Sequence, residues 1–196
     1  MTLYCATGNP GKLREWRQAL AGYELEIVSL PPCEETGLTF EENARQKAVY
    51  YSRHAPGLLF AEDSGLEVDA LGGAPGVFSA RFAGEGSSDA DNNRLLLEKL
   101  RGVNRRSARY VCAVALAEAG TVLQTFRGEV AGTIIDQPRG TNGFGYDPYF
   151  YYEPFQLTFG EASPEQKLQV SHRARALAAM REWLRAKGVV SASVVK

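Results

Sequence analysis

The chain reads as a mixed α/β domain, with helices over a central sheet that includes a long antiparallel hairpin. Three observations predict this. Through the first hundred residues, short apolar runs alternate with segments whose apolar positions recur at helical spacing. Residues 109–118 and 121–135 are then two long strand-like runs separated only by Ala119-Gly120, which makes a hairpin rather than a crossover. No repeat, low-complexity or linker-like segment interrupts the 196 residues, so a single domain over 1–196 is expected.

Each element has a local reason. Residues 2–6 form a short buried strand. Asn9 and Pro10 open a helix, with Asn as cap and Pro at the first helical position, and Leu13, Trp16 and Leu20 share one face. Residues 25–30 read as a second strand that Pro31-Pro32 ends. Thr39 and Glu42 match a capping box, and Phe40, Ala44, Ala48 and Tyr51 stripe the helix that follows. Residues 58–61 are a buried strand ending in two carboxylates, Glu62 and Asp63, and a glycine-rich loop runs on to Ser88. Residues 91–100 are helical, with Leu96, Leu97 and Leu100 inward. After the hairpin, residues 150–152 add a short strand and Ser163-Pro164 start a helical turn. Residues 171–187 form the last helix, with Leu177, Met180 and Leu184 inward and Gly188 as its stop. A frayed tail is expected from Val189 to Lys196.

Composition narrows the function. A net charge of -1 and a pI of about 6.2 disfavour an extended nucleic-acid surface, so no nucleic-acid polymer is expected as partner. No run approaches membrane-spanning length and no signal segment is apparent, so no membrane partner is expected. Cys5, Cys33 and Cys112 form no CxxC pair, which fits a reducing cytoplasm and argues against a disulfide scaffold or zinc knuckle. His54 and His172 lie far from any cysteine pair, His54 at an exposed helix end, and a zinc hydrolase is poorly supported. No GxSxG elbow occurs. Ser64 adjoins Asp63 on a strand, so the two face opposite ways and make a poor triad pair.

Four constellations carry chemistry. Thr7-Gly8-Asn9-Pro10-Gly11-Lys12 joins a strand to a helix start, where unpaired backbone N–H groups and the helix dipole welcome an anion. Its spacing is not that of a Walker A loop, and a capped turn with a surface lysine is the plainer alternative. Glu34, Glu35, Glu62, Asp63 and Asp69 are carboxylates near loops, and a hard cation such as Mg²⁺ takes one or two of these plus substrate phosphates. Asp63, at the end of an apolar strand, points to function more than the others. Thr141 to Pro148 combine Gly143 and Gly145 with Phe144 and Tyr146, either of which can stack on a planar base; a tight turn held by a buried aromatic explains the same residues. Lys12, His172 and Arg173 are cations in first helical turns, where the dipole disfavours them, and with Lys167 they suggest a polyanionic ligand.

Taken in order, TGNPGK, EETGLTFEENA, AEDSGLEVDALGGAPGVFSARFAG, TNGFGYDPYF and SPEQKLQVSHRA resemble the inosine triphosphate pyrophosphatase family, the Ham1-like non-canonical purine nucleotide pyrophosphatases. The resemblance spans residues 4–184. It implies hydrolysis of dITP, ITP and XTP to the monophosphate and pyrophosphate, Mg²⁺ dependence, a homodimer, and an elongated two-lobed fold with the active site in the cleft between lobes. Carried over, Thr7, Gly8, Asn9, Pro10, Gly11 and Lys12 are the triphosphate-binding turn. Glu35 and Asp63 are metal-site carboxylates, with Glu62 a less certain third, and Asp63 is the general base, with Lys12 beside it in catalysis. Ser64 is a substrate contact, and Phe144, Gly145, Tyr146 and Asp147 form the base pocket. Lys167, His172 and Arg173 hold the nucleotide and read its base. Three positions depart from the pattern: Glu62 where Asp is frequent, Asn142 where Gly is common and expected to alter the loop, and Gln166 where Glu is common. A non-catalytic nucleotide sensor is the rival from another class. It would dispense with the carboxylates that are present.

Overall fold

Caps decide where the helices begin. In the computed structural model, which describes residues 1–189, Asn9 caps α1 (Pro10–Ala19) and Thr39 and Glu42 close a full capping box on α2 (Phe40–Ser52). Ser88 and Asp91 form a second box, so α3 (Asp89–Lys99) starts just before the expected Asp91. At α4 (Pro164–Val170) the box pairs Ser163 with Gln166, a neutral side chain that serves the reciprocal bond as well as Glu would. Next comes α5 (His172–Ala186), with Gly188 at φ 74° as its stop. The tail predicted to fray lies outside the described residues beyond Val189.

Seven strands make one mixed sheet: β1 (Thr2–Cys5), β2 (Glu24–Ile27), β3 (Leu59–Val68), β4 (Ser107–Glu118), β5 (Thr121–Ile134), β6 (Phe150–Tyr152) and β7 (Leu157–Thr158), in the order β2-β1-β3-β4-β5-β6-β7. β1 runs parallel to β2 and β3, with Leu3 opposite Leu25 and Tyr4 opposite Leu59. β6 is antiparallel to both β5 and β7. In β4 every residue from Tyr110 to Ala117 is buried, as befits an apolar strand in the middle of a sheet. β5 alternates instead, burying Phe126, Gly128 and Val130 between exposed Arg127, Glu129 and Ala131. The two turn residues, Ala119 and Gly120, take φ of 48° and 81°, the twist a two-residue hairpin requires.

Two expected boundaries move. β2 stops at Ile27 rather than Leu30; it is an edge strand with mostly exposed side chains. β3 does not end at Ala61. It continues through Glu62 and Asp63 to Val68, with both carboxylates inside the buried run. The glycine that looked like loop, Gly65, is there for close packing: a Cβ on it would lie 2.2 Å from Ser79 Oγ and 2.6 Å from Gly76 O. Ser79 Oγ in turn accepts from Leu66 N–H at 2.9 Å.

The chain divides into two compact units. One comprises Met1–Asp63, Cys112–Gly128 and the chain from Arg173 on; the other comprises Ser64–Val111 and Glu129–His172. In the first, Leu3, Trp16, Leu20, Phe60, Leu116, Leu177, Met180 and Leu184 are fully buried. Trp16 meets Phe60 edge-on at 4.9 Å. In the second, the core is Leu66, Val68, Leu96, Leu100, Tyr110, Val130, Ile134, Tyr146, Phe150 and Phe159.

Candidate active site

Alternation along β3 sends Glu62 and Asp63 to opposite faces, and each finds its own cations. Glu62 is 3% exposed, a position no carboxylate holds without partners. Arg173 Nε donates to its two oxygens at 3.1 and 2.9 Å, and Arg173 Nη2 donates to Oε1 at 2.9 Å. Trp16 Nε1 donates to Oε2 at 2.7 Å, and Lys12 Nζ lies 3.2 Å from Oε1. Cys112 Sγ is 3.6 Å from Oε2. Arg173 is also paired with Glu15. Lys12, Glu15 and Trp16 share one face of α1, so a single helical turn delivers a cation, an anion and a neutral donor. Burial works against the charge on Glu62, but Arg173 and Lys12 overcome it and hold the carboxyl well below its usual range. Burial, and then Glu62 itself, push the Cys112 thiol well up.

Asp63 belongs to a second network. Its Oδ2 accepts from Asn43 Nδ2 at 3.1 Å and its Oδ1 from Lys47 Nζ at 3.0 Å. Lys47 also lies 3.2 Å from Glu35 Oε1, so one ammonium gathers both proposed metal carboxylates. Asn43 and Lys47 are four residues apart on α2, hence on the same face. Asn43 is fixed from behind: its Oδ1 accepts from Gly37 N–H at 2.8 Å. Burial alone would lower the Lys47 pKa, yet Asp63 and Glu35 more than offset it and raise it above the ordinary lysine value. Among the described residues no three His, Cys, Asp or Glu side chains gather to hold a metal by themselves. Glu35 and Asp63 are the pair with the right donors. Two carboxylates that converge on a monovalent cation offer oxygen donors and negative charge of the kind a hard divalent cation takes.

The turn from Thr7 to Lys12 differs from expectation in one respect. Three of its backbone N–H groups are already engaged. Asn9 N–H donates to Thr7 Oγ1 at 3.0 Å, and Gly11 and Lys12 N–H donate to Asn9 Oδ1 at 2.8 and 3.1 Å. The Asn9 cap that starts the helix takes up two of the donors expected to welcome an anion. What the turn offers is the Lys12 ammonium, with Gly8 exposed and Pro10 at the first helical position.

The second unit holds a different assembly. Lys167 Nζ donates to Asp147 Oδ2 at 2.6 Å, and both side chains are buried. Asp147 also accepts from Tyr110 Oη at 3.1 Å and from Phe144 N–H at 2.9 Å. Lys167 Nζ sits 5.1 Å from the Phe144 ring centre and 5.6 Å from that of Phe159. His172 stacks on Tyr110 at 4.7 Å, their planes 11° apart. Tyr146 Oη donates to Ser79 O at 2.7 Å, and burial, helped by Asp89, raises its pKa so that the phenol stays protonated. Gly143 is required here: its φ is +75°, and a Cβ would lie 2.0 Å from Asp147 Oδ2. Asn142, expected to alter the loop, instead ties it down, because its amide donates to Ala162 O at 3.1 Å. Ser64 follows Asp63 on β3 and is half-buried.

Of the cations flagged as misplaced near helix starts, Lys12 and Arg173 have a carboxylate partner in Glu62, and His172 stacks on Tyr110; Lys167, grouped with them, pairs with Asp147. Sequence reasoning missed those partners. Glu15, Trp16, Asn43 and Lys47 belong to the charged networks, and Tyr110 to the aromatic one. Their one sequence signal was position on a helix face: Glu15 and Trp16 three and four residues after Lys12, and Lys47 four after Asn43.

The Ham1 family model matches residues 3–183. The dITP/XTP pyrophosphatase of Acidobacterium capsulatum is 49% identical over 192 residues, covering 90% of this chain and 95% of that one. Two solved structures are similar at 38% identity and a TM-score of 0.85: the Ham1 protein of Staphylococcus aureus, covering 95% of this chain and all of that one, and a HAM1 protein from Coxiella burnetii, covering 95% and 99%. With nearly its whole length matched, in sequence and in fold, the chain belongs to the Ham1 family.

Proposed function

We propose that this protein hydrolyses non-canonical purine nucleoside triphosphates (ITP, dITP, XTP and dXTP) to the nucleoside monophosphate and pyrophosphate, keeping them out of DNA and RNA. The observation that carries the reading is the Asp63–Lys47–Glu35 network. It brings two carboxylates onto one ammonium, which supports a base and a cation site there, in a chain whose relatives bear the dITP/XTP pyrophosphatase name.

Each residue then has a task. Asp63 accepts a proton from the water whose oxygen attacks the α-phosphorus. The bond from that phosphorus to the bridging oxygen breaks, and pyrophosphate leaves with the electron pair. Asn43 holds one Asp63 oxygen so that the carboxylate faces one way. Glu35 and Asp63 would hold Mg²⁺, which when bound neutralises phosphate oxygens that otherwise repel the nucleophile. Lys12, in the turn from Thr7, and Lys47 add fixed positive charge for the triphosphate. Glu62 is assigned to carrying Lys12 and Arg173 rather than to the metal, because alternation along β3 turns it away from Asp63 and toward Arg173, Lys12 and Trp16. Ser64 is a substrate contact. Phe144, Gly145, Tyr146 and Asp147, with Lys167, His172 and Arg173, hold and read the base; a buried donor aimed at a 6-oxo group leaves a 6-amino purine mispaired and rejects it.

The rest of the reading is a homodimer working in the cytoplasm. The family resemblance supports these features. No helix among the described residues is long and apolar enough to cross a membrane.

Pyrophosphate release from ITP, XTP, dITP and dATP, with Mg²⁺ and with chelator, tests the reading. The expected result is Mg²⁺-dependent turnover with kcat/KM for ITP at least about a hundredfold above that for dATP. Comparable turnover of dATP would remove the selectivity, and turnover unaffected by chelator would remove the metal.

A further inference from the structure

We propose that the first turn of α3 is a positioning element for the base-reading loop, acting through a clamp of Asp89 and Asn93 on the Gly145 peptide. The inference rests on the base-pocket assignment of residues 144–147. Gly145 is gripped at both of its backbone polar groups. Its N–H donates to Asp89 Oδ2 at 2.7 Å, and its carbonyl accepts from Asn93 Nδ2 at 2.9 Å. Asp89 and Asn93 are four residues apart on α3, so one helix face presents an acceptor and a donor at the spacing that a single residue's backbone needs.

The grip matters because of what else holds the loop. Phe144 is tied through its N–H to Asp147, Tyr146 through its hydroxyl to Ser79 O, and Asp147 to Lys167 and Tyr110. Gly145, with no side chain and φ +63°, is the link with the most backbone freedom, and α3 is what removes it. A peptide turned at Gly145 would swing the Phe144 ring relative to the Lys167 ammonium 5.1 Å from its centre.

Asn93 carries a cost of its own. It is 7% exposed, and its Oδ1 has no hydrogen-bond partner among the described residues. A leucine, branched at the same carbon, would bury no orphaned acceptor. What leucine lacks is the donor to Gly145. Asp89, Asn93 and Gly145 also line a groove of about 550 Å³ with Thr141, Phe144 and Tyr149, so the clamp borders open volume.

The test is steady-state kinetics on ITP and ATP for the full-length enzyme and for Asn93→Leu, with Asn93→Gln as the variant that keeps an amide donor. In Asn93→Leu, KM for ITP should rise about tenfold, more than kcat falls, and the ITP-to-ATP ratio of kcat/KM should drop by about the same factor. Asn93→Gln should recover at least half of the lost ratio on a logarithmic scale. Thermal melting is measured alongside. A melting shift in Asn93→Leu with KM and ratio unchanged would show a purely structural residue and overturn the clamp. Equal loss in both variants would also overturn it, since the donor would then not be the operative group. The two readings fail separately: a wild-type enzyme without preference for ITP defeats the base-pocket assignment, whereas a selective wild type with an equally selective Asn93→Leu defeats only the clamp.

Discussion

Around Glu62 and Asp63, charge answers charge: three cations, Lys12, Lys47 and Arg173, meet four carboxylates, Glu15, Glu35, Glu62 and Asp63. Around Asp147, a single ion pair with Lys167 is set among the rings of Phe144, Phe159 and Tyr110. Under the proposed function, the difference is the one that the two halves of a nucleotide call for. A triphosphate changes charge as it reacts, and cations already held by carboxylates can meet it without first being gathered from solvent. A purine base keeps its charge and must be told apart by one or two atoms, which calls for a few rigid donors in an apolar frame.

The largest break in this comparison is Asp63→Asn. The amide keeps the shape and can still accept from Lys47, so the fold should persist, but it cannot take the proton from water. We expect kcat for ITP to fall by about 10²–10⁴, with the melting temperature within a few degrees of wild type. A near-normal kcat would take the base out of the charged region altogether.

Glu62→Gln should separate carrying a charge from doing chemistry. It takes the Glu62 carboxylate from Arg173, 2% exposed, and leaves it Glu15, so the cost should fall below the roughly 3–5 kcal/mol of a buried pair broken outright. The pH dependence has a defined sign. Burial alone would raise the Glu62 pKa, yet Arg173 and Lys12 hold it well below the ordinary value of 4.5. Its stabilising contribution is therefore complete above the ordinary value and is lost as pH falls from there through the folded value, because the unfolded chain takes up the proton first. Lys12, Trp16, Cys112 and Arg173 face this carboxylate. Glu15, Glu35 and Asp63 are further carboxylates of these networks, so the quantity to measure is the difference in melting temperature between wild type and Glu62→Gln. That difference should shrink below pH 4.5. A constant gap would mean that Glu62 is not the charge that stabilises Arg173.

What was legible in the sequence follows the range of the forces involved. Asn9, Thr39 with Glu42, and Gly188 act within a few residues of themselves, and each was readable. Asp63 stood out because a carboxylate after an apolar run demands a partner. The partner did not stand out: Lys47 looks like any helix lysine until β3 is laid beside it, and Glu15 is 158 residues from Arg173. The end of β3 was misplaced for the same reason. Gly65 signals a turn by composition, and only Ser79, pressed against it, shows that it is a packing site. The aromatic region was half legible: Phe144 and Tyr146 sit in a recognisable glycine loop, but Tyr110, inside an apolar strand, gave no sign of facing Asp147.

Tyr110→Phe tests the aromatic region at its mildest. The ring that stacks on His172 at 4.7 Å is kept, and only the hydroxyl that donates to Asp147 at 3.1 Å is lost. Asp147 retains Lys167 and the Phe144 N–H, so the carboxylate stays compensated. The cost should be about 1.5–3 kcal/mol of stability, the range for a hydrogen bond to a charged group, read by denaturant unfolding. If the frame of rings and the Lys167 pair position the base, kcat/KM for ITP should fall less than about tenfold, because Asp147 does not move. A loss of a hundredfold or more would mean that the hydroxyl itself sets the position of Asp147. The base end would then depend, like the phosphate end, on a network of polar contacts in which no single member is spare.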